Sequence, residues 1–229
     1  MVHAYQNMVK VPGARDKILS IVAANLKGVE TLKRLVVVKP TRHIVRGILL
    51  ERTPLPTLFY AWSIVIPLFG ELENLTLNYS QKIAWNGGRT QHVRADAEKL
   101  EEAALVLAEA FDKDYLPELQ RIETAADFAR RYPWADKSDR LNIRYEMALA
   151  HCISGDFGIG KSLLKSIPRL APSASESSSY SQRLAQLAEM MISKIDDGEP
   201  EFRTAVEQLE LANIKKYFRG ITRAERTAP

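Results

Sequence analysis

Apolar residues recur at helical spacing near the start of the chain. Ile18, Ile21, Val22, Leu26, Val29 and Leu32 share one face, and Pro12-Gly13 punctuates their beginning. This period predicts an amphipathic helix over residues 14–33. The pattern then changes character. RLVVVKP (34–40) is short and β-branched. HIVRGILLERT (43–53) follows, PLP (54–56) reads as a turn, and LFYAWSIVIPLF (58–69) is rich in aromatic and β-branched residues. In LTLNYSQKI (75–83), Leu75, Leu77 and Tyr79 alternate with Thr76, Asn78 and Ser80, the period of a half-buried strand. Asn86-Gly87-Gly88 reads as a closing turn. Three or four mostly antiparallel strands are expected, with the first helix packed on one face.

From about residue 93 the period is helical throughout. Helices are expected over 94–111, 113–131, about 140–153, about 157–167, 181–196 and 201–218. Asp139 is the candidate cap of the third. APSASESSSYS (171–181) reads as a loop, DDGEP (196–200) as a stop, and the last ten residues as frayed. The expected fold is α+β: an N-terminal helix plus a small, mostly antiparallel sheet, followed by a C-terminal helical array. Residues 1–92 and 93–229 form its two parts, as separate domains or as one continuous domain.

The loudest motif is GDFGIGKS, Gly155–Ser162, which satisfies the phosphate-loop pattern G-x-x-x-x-G-K-[ST]. Such a loop must leave a buried strand and open a helix, so that its amides face phosphate. Here the preceding stretch, DRLNIRYEMALAHCIS (139–154), has helical composition. Gly155 then reads as a helix end and Gly160 as a point of close helix contact. Lys161 and Ser162 read as solvent-facing helix residues. Ala148, Gly155-Asp156-Phe157, Gly160 and Pro172 stand where the tetratricopeptide family places its small residue, its turn, its second small residue and its closing proline. Residues 141–172 thus resemble one tetratricopeptide repeat, which implies a helical hairpin. The span departs from that family at Arg144, in place of a tryptophan, and at His151, in place of a tyrosine. Pro168 is expected to end the second helix early.

Composition narrows the function. The chain has 229 residues, a formal charge of +4 and one cysteine, Cys152. A lone cysteine forms no internal disulfide, and its apolar neighbours make it a buried hydrophobe. The opening residues lack a signal-peptide pattern, and the most apolar run, 58–69, contains Pro67 and falls short of the roughly twenty residues a membrane helix needs. A cytoplasmic protein without membrane contact is expected. His3, His43, His92 and His151 show no metal-ligand spacing, and no nucleophile elbow occurs. No cofactor, metal or catalytic residue is assigned.

Two surfaces remain. Phe59, Tyr60 and Trp62 would give an open sheet face an apolar patch, and Arg144 and His151 mark the helical hairpin as a second candidate partner site. Basic residues cluster in 33–52 and again in 215–226, where Lys215, Lys216, Arg219 and Arg223 surround Tyr217 and Phe218. Cations interleaved with aromatic rings suit single-stranded nucleic acid. The expectation is a non-enzymatic protein-interaction module: an adaptor, assembly subunit or inhibitor-type partner. A nucleic-acid-associated subunit and a nucleotide-binding protein using Gly155–Ser162 are the alternatives. The sequence leaves homo-oligomerisation undetermined.

Overall fold

Helix α1 spans Ala14–Ala24 and buries Ile18 and Val22 of the expected stripe together with Leu19, while Ile21 is half-buried. It stops short of residue 33. The Asn25 side chain donates to the Ile21 carbonyl at 2.8 Å, and Gly28 turns the chain at φ 71°. Val29–Leu32 then forms strand β1. A two-residue turn, with Lys33 at φ 51°, leads to β2, Leu35–Val38. Strands β3, Ile44–Arg52, and β4, Leu58–Pro67, follow, then the short β5, Gln81–Lys82, and β6, His92–Arg94. The computed structural model describes residues 11–55, 57–72, 77–85, 92–173 and 178–220.

Among the described residues the sheet has six strands in the order β1-β2-β3-β4-β5, and β6 also pairs with β4. The β1–β2, β2–β3, β4–β5 and β4–β6 ladders are antiparallel. Gly47 of β3 sits opposite Val37 at φ 153°, where a Cβ would come within 1.8 Å of the Val36 carbonyl oxygen. Only glycine fits that approach. Among the described residues, the strand expected over 75–83 is formed by Gln81–Lys82 alone, and Asn78 and Tyr79 form a turn. Leu75, Thr76 and the 86–88 turn lie outside the described residues.

Helix α2 is Leu100–Asp114 and α3 is Leu116–Gln120, opened by Pro117. Helix α4, Ala125–Arg131, starts at a capping box. The Thr124 hydroxyl accepts from the Asp127 amide, and the Asp127 carboxylate accepts from the Thr124 amide. The stretch expected as one helix over 113–131 is therefore broken twice, at Tyr115 and at Thr124. A 3₁₀ turn, Pro133–Lys137, precedes α5, Leu141–Ile153. Asp139 does not cap α5; Arg140 is its N-cap, and the Ser138 hydroxyl accepts from the Arg140 amide at 3.2 Å.

Helix α6, Phe157–Leu170, runs through Pro168, which lies in its last turn instead of ending it. Helix α7, Ser178–Asp197, starts inside the serine-rich stretch, and α8 spans Glu199–Tyr217. The α+β expectation holds: a helix, a small antiparallel sheet, then helices. No helix among the described residues is long and apolar enough to cross a membrane.

Two compact units emerge. One draws on the chain up to Thr41, Val45–Ile66 and Tyr79–Arg121, so α2 and α3 belong with the sheet. In it α1 packs on α2, β1 and β2. Arg46, only 1% exposed, donates to the Leu119 carbonyl at 3.0 Å and to the Pro40 carbonyl. The other unit comprises Arg42–Ile44, Pro67–Asn78 and the chain from Ile122. Its centre is α5, buried on nearly every side and flanked by α4, α6 and α7. Phe69 meets Phe128 edge-on at 6.0 Å, and the Asn213 amide donates to the carbonyls of Leu68 and Gly70 at 2.7 and 2.8 Å.

Candidate partner-binding face

Successive side chains of a strand point to opposite faces. In β4 this separates the predicted aromatic trio. Phe59 is 5% exposed and belongs to the interior, whereas Tyr60 and Trp62 keep part of their rings at the surface. An exposed role for Phe59 is thereby corrected.

The two outward rings are held by their neighbours. Tyr60 pairs across the ladder with His92, and the two rings lie 4.6 Å apart at 37°. Trp62 pairs with Lys82. The Lys82 ammonium stands 3.8 Å from the centre of the Tyr60 ring and 5.4 Å from that of Trp62, a cation–π arrangement. The Trp62 indole N–H donates to Glu51 Oε2 of β3 at 2.8 Å. Among the described residues no carboxylate pairs with Lys82. The result is a pre-ordered platform with two rings, one cation held over them and one carboxylate at its margin. Such a face loses little side-chain freedom when something lands on it. Nothing in the linear sequence marks Lys82 or His92 as neighbours of Tyr60 and Trp62; only the strand register brings them together.

The helical candidates are placed differently. Arg144 donates through Nε to the Ser138 carbonyl at 3.0 Å and through a terminal nitrogen to the Ser166 hydroxyl at 3.3 Å. His151 meets Asp136 at 3.1 Å through Nε2 and Asp156 at 3.9 Å through Nδ1. Both side chains tie α5 to adjoining segments. Cys152 is fully buried, and burial pushes its thiol up to about 12.

The GDFGIGKS stretch follows helix α5 and not a strand. The Gly155 and Asp156 amides donate to the carbonyls of Cys152 and His151 at 3.0 and 2.9 Å. These amides close the end of α5 and are not turned outward as a phosphate cradle. Gly155 has φ 94°. A Cβ on Gly160 would lie 2.2 Å from Cys152 Sγ and 2.6 Å from the Ala148 oxygen. Lys161 forms an ion pair with Asp196, and Ser162 is exposed.

The basic stretches are partly consumed by the fold. Arg46 is interior, and Lys39 pairs with Glu30 at 2.5 Å. Near the end, Tyr217 donates its hydroxyl to the Leu72 carbonyl at 3.0 Å, and Lys216 donates to the same oxygen at 3.4 Å. Phe218 is buried, and Arg219 donates to the Lys215 carbonyl at 3.0 Å. Lys215 is exposed, and Arg223 lies outside the described residues. No cluster of potential metal ligands occurs among the described residues.

Comparison of the chain with protein-family models, with curated proteins and with solved structures returns no match.

Proposed function

We propose that this chain is a non-enzymatic protein-interaction module, an adaptor, assembly subunit or inhibitor-type partner, which docks another protein on the Tyr60–Trp62 face. The observation that carries the reading is the braced aromatic pair, with Lys82 over the rings and Glu51 fixing the indole. Tryptophan and tyrosine dominate the energetic centres of protein interfaces, and rigid rings deliver contact area at low entropic cost. A cytoplasmic setting belongs to the same proposal, supported by a single cysteine in 229 residues.

The test is a capture experiment with wild type and the Tyr60→Ala/Trp62→Ala pair, each with and without nuclease. A stoichiometric protein that survives nuclease and leaves the double variant supports the reading. Equal capture by both proteins overturns it. So does recovery of nucleic acid alone, released by salt and by neutralising Lys215, Lys216 and Arg219.

A further inference from the structure

The unit that holds the sheet carries an open cleft of about 280 Å³ beside the start of α1 and the segment that follows β3. Arg15, Asp16, Arg52, Leu55, Leu58 and Phe59 are among its lining residues, and Tyr60 and Trp62 are not. Arg15 touches Asp16 only through Nε, at 3.4 Å, although its side chain is 18% exposed. Its terminal nitrogens have no partner among the described residues, and Arg52 makes no hydrogen bond or ion pair with any of them. Two guanidinium groups and one carboxylate leave a single net positive charge. Leu55, which is exposed, and the nearly buried Leu58 and Phe59 belong to the apolar part of the lining.

We propose that this cleft binds a carboxylate carried on a short apolar group. Guanidinium groups recognise a carboxylate through paired N–H donors in a fixed plane. One net positive charge matches a monoanion better than a phosphate dianion. The volume sets the size. A liquid water occupies roughly 30 Å³, so the cleft holds on the order of nine waters, just below the usual range of drug-sized pockets. That suits a ligand of on the order of ten heavy atoms and excludes a whole nucleotide. Leu55 and the apolar residues next to it give the tail its place. The site is independent of the partner-docking proposal, since it shares none of the platform's residues.

The ligand chemistry has two sources, a small organic acid or the free C-terminus of a peptide with an apolar last residue. NMR titration of the full chain separates them. The probes are hexanoate, hexanol, inorganic phosphate, and acetyl-Gly-Leu with a free or an amidated terminus. Hexanoate is expected to shift the amides around the cleft saturably, with hexanol silent. Arg52→Gln, a change at an exposed side chain, is expected to weaken binding roughly tenfold, the effect of losing one charge-assisted hydrogen bond. Tighter binding of the free peptide than of hexanoate assigns the site to chain termini, and the reverse assigns it to small acids; both outcomes support carboxylate recognition. Hexanol or the amidated peptide binding as well as its acid overturns the proposal. So does phosphate outcompeting hexanoate, or unchanged hexanoate affinity in both Arg52→Gln and Arg15→Gln.

Discussion

Helix α6 contains two glycines that should respond oppositely to the same substitution. A Cβ on Gly158 meets nothing within 4 Å. Gly158→Ala therefore gains helix propensity and is expected to stabilise by about 0.5–1 kcal/mol. A Cβ on Gly160 would stand 2.2 Å from Cys152 Sγ and 2.6 Å from the Ala148 carbonyl. Comfortable nonbonded separations are about 3.5–4 Å, so α5 and α6 would have to part by more than an ångström. Overpacking of that kind costs about 1–3 kcal/mol, against at most about 1 kcal/mol returned by propensity. Gly160→Ala should end about 1–2 kcal/mol below wild type, and about 1.5–3 kcal/mol below Gly158→Ala. Urea unfolding with a common m value reads the difference. Adding Cys152→Ala removes the sulfur but not the carbonyl, so it should rescue only part of the loss when scored as a double-mutant cycle. Gly160→Ala unfolding at or above the wild-type midpoint would refute the packing argument, as would equal destabilisation by Gly158→Ala.

Gly47→Ala meets a backbone oxygen 1.8 Å away at φ 153° and should destabilise by more than about 2 kcal/mol, read by thermal unfolding. Thr124→Ala removes the α4 capping box and should cost about 1 kcal/mol at neutral pH. Burial raises the Asp127 carboxyl, but its bonds to Thr124 and Arg130 outweigh that and hold it below its ordinary 3.8. The wild-type advantage is therefore present above pH 3.8 and should shrink as pH falls through the lower folded value. Cys152 should resist thiol reagents in the native protein and label fully after denaturation, since its thiol is buried and pushed up to about 12. ATP with magnesium should leave the melting temperature unchanged; a saturable rise abolished by Lys161→Ala would reverse the reading of Gly155–Ser162.

The class of the fold was legible because burial follows period. Ile18 and Val22 in α1 and the β-branched runs of β2 and β4 each sit where their spacing implies. Boundaries were harder. Val29 and Leu32, five and eight places past the end of α1, continue its helical period yet belong to a strand, since a few apolar residues beyond a helix end satisfy either element. The break at Thr124 follows a capping box, and the break at Tyr115 immediately precedes the first turn that holds Pro117; periodicity reports neither. At the candidate face, alternation along one strand suffices to separate Phe59 from Tyr60 and Trp62. Lys82 and His92 join them only through pairing between distant segments, and a single sequence carries no register for that. Arg46 shows the same limit for charge: composition counts a cation, and the fold gives it to two backbone carbonyls.

The Asn213 amide has a consequence for how the molecule is made. It satisfies carbonyls 145 and 143 residues upstream, at Leu68 and Gly70. During synthesis those carbonyls leave the ribosome long before their partner exists. The helices between them can form as they emerge, but this closure waits for α8. Contacts so remote in sequence slow folding and prolong the lifetime of incomplete intermediates. A chain that has not yet reached α8 therefore lacks this closure, and should be cut by proteases faster than one that contains it.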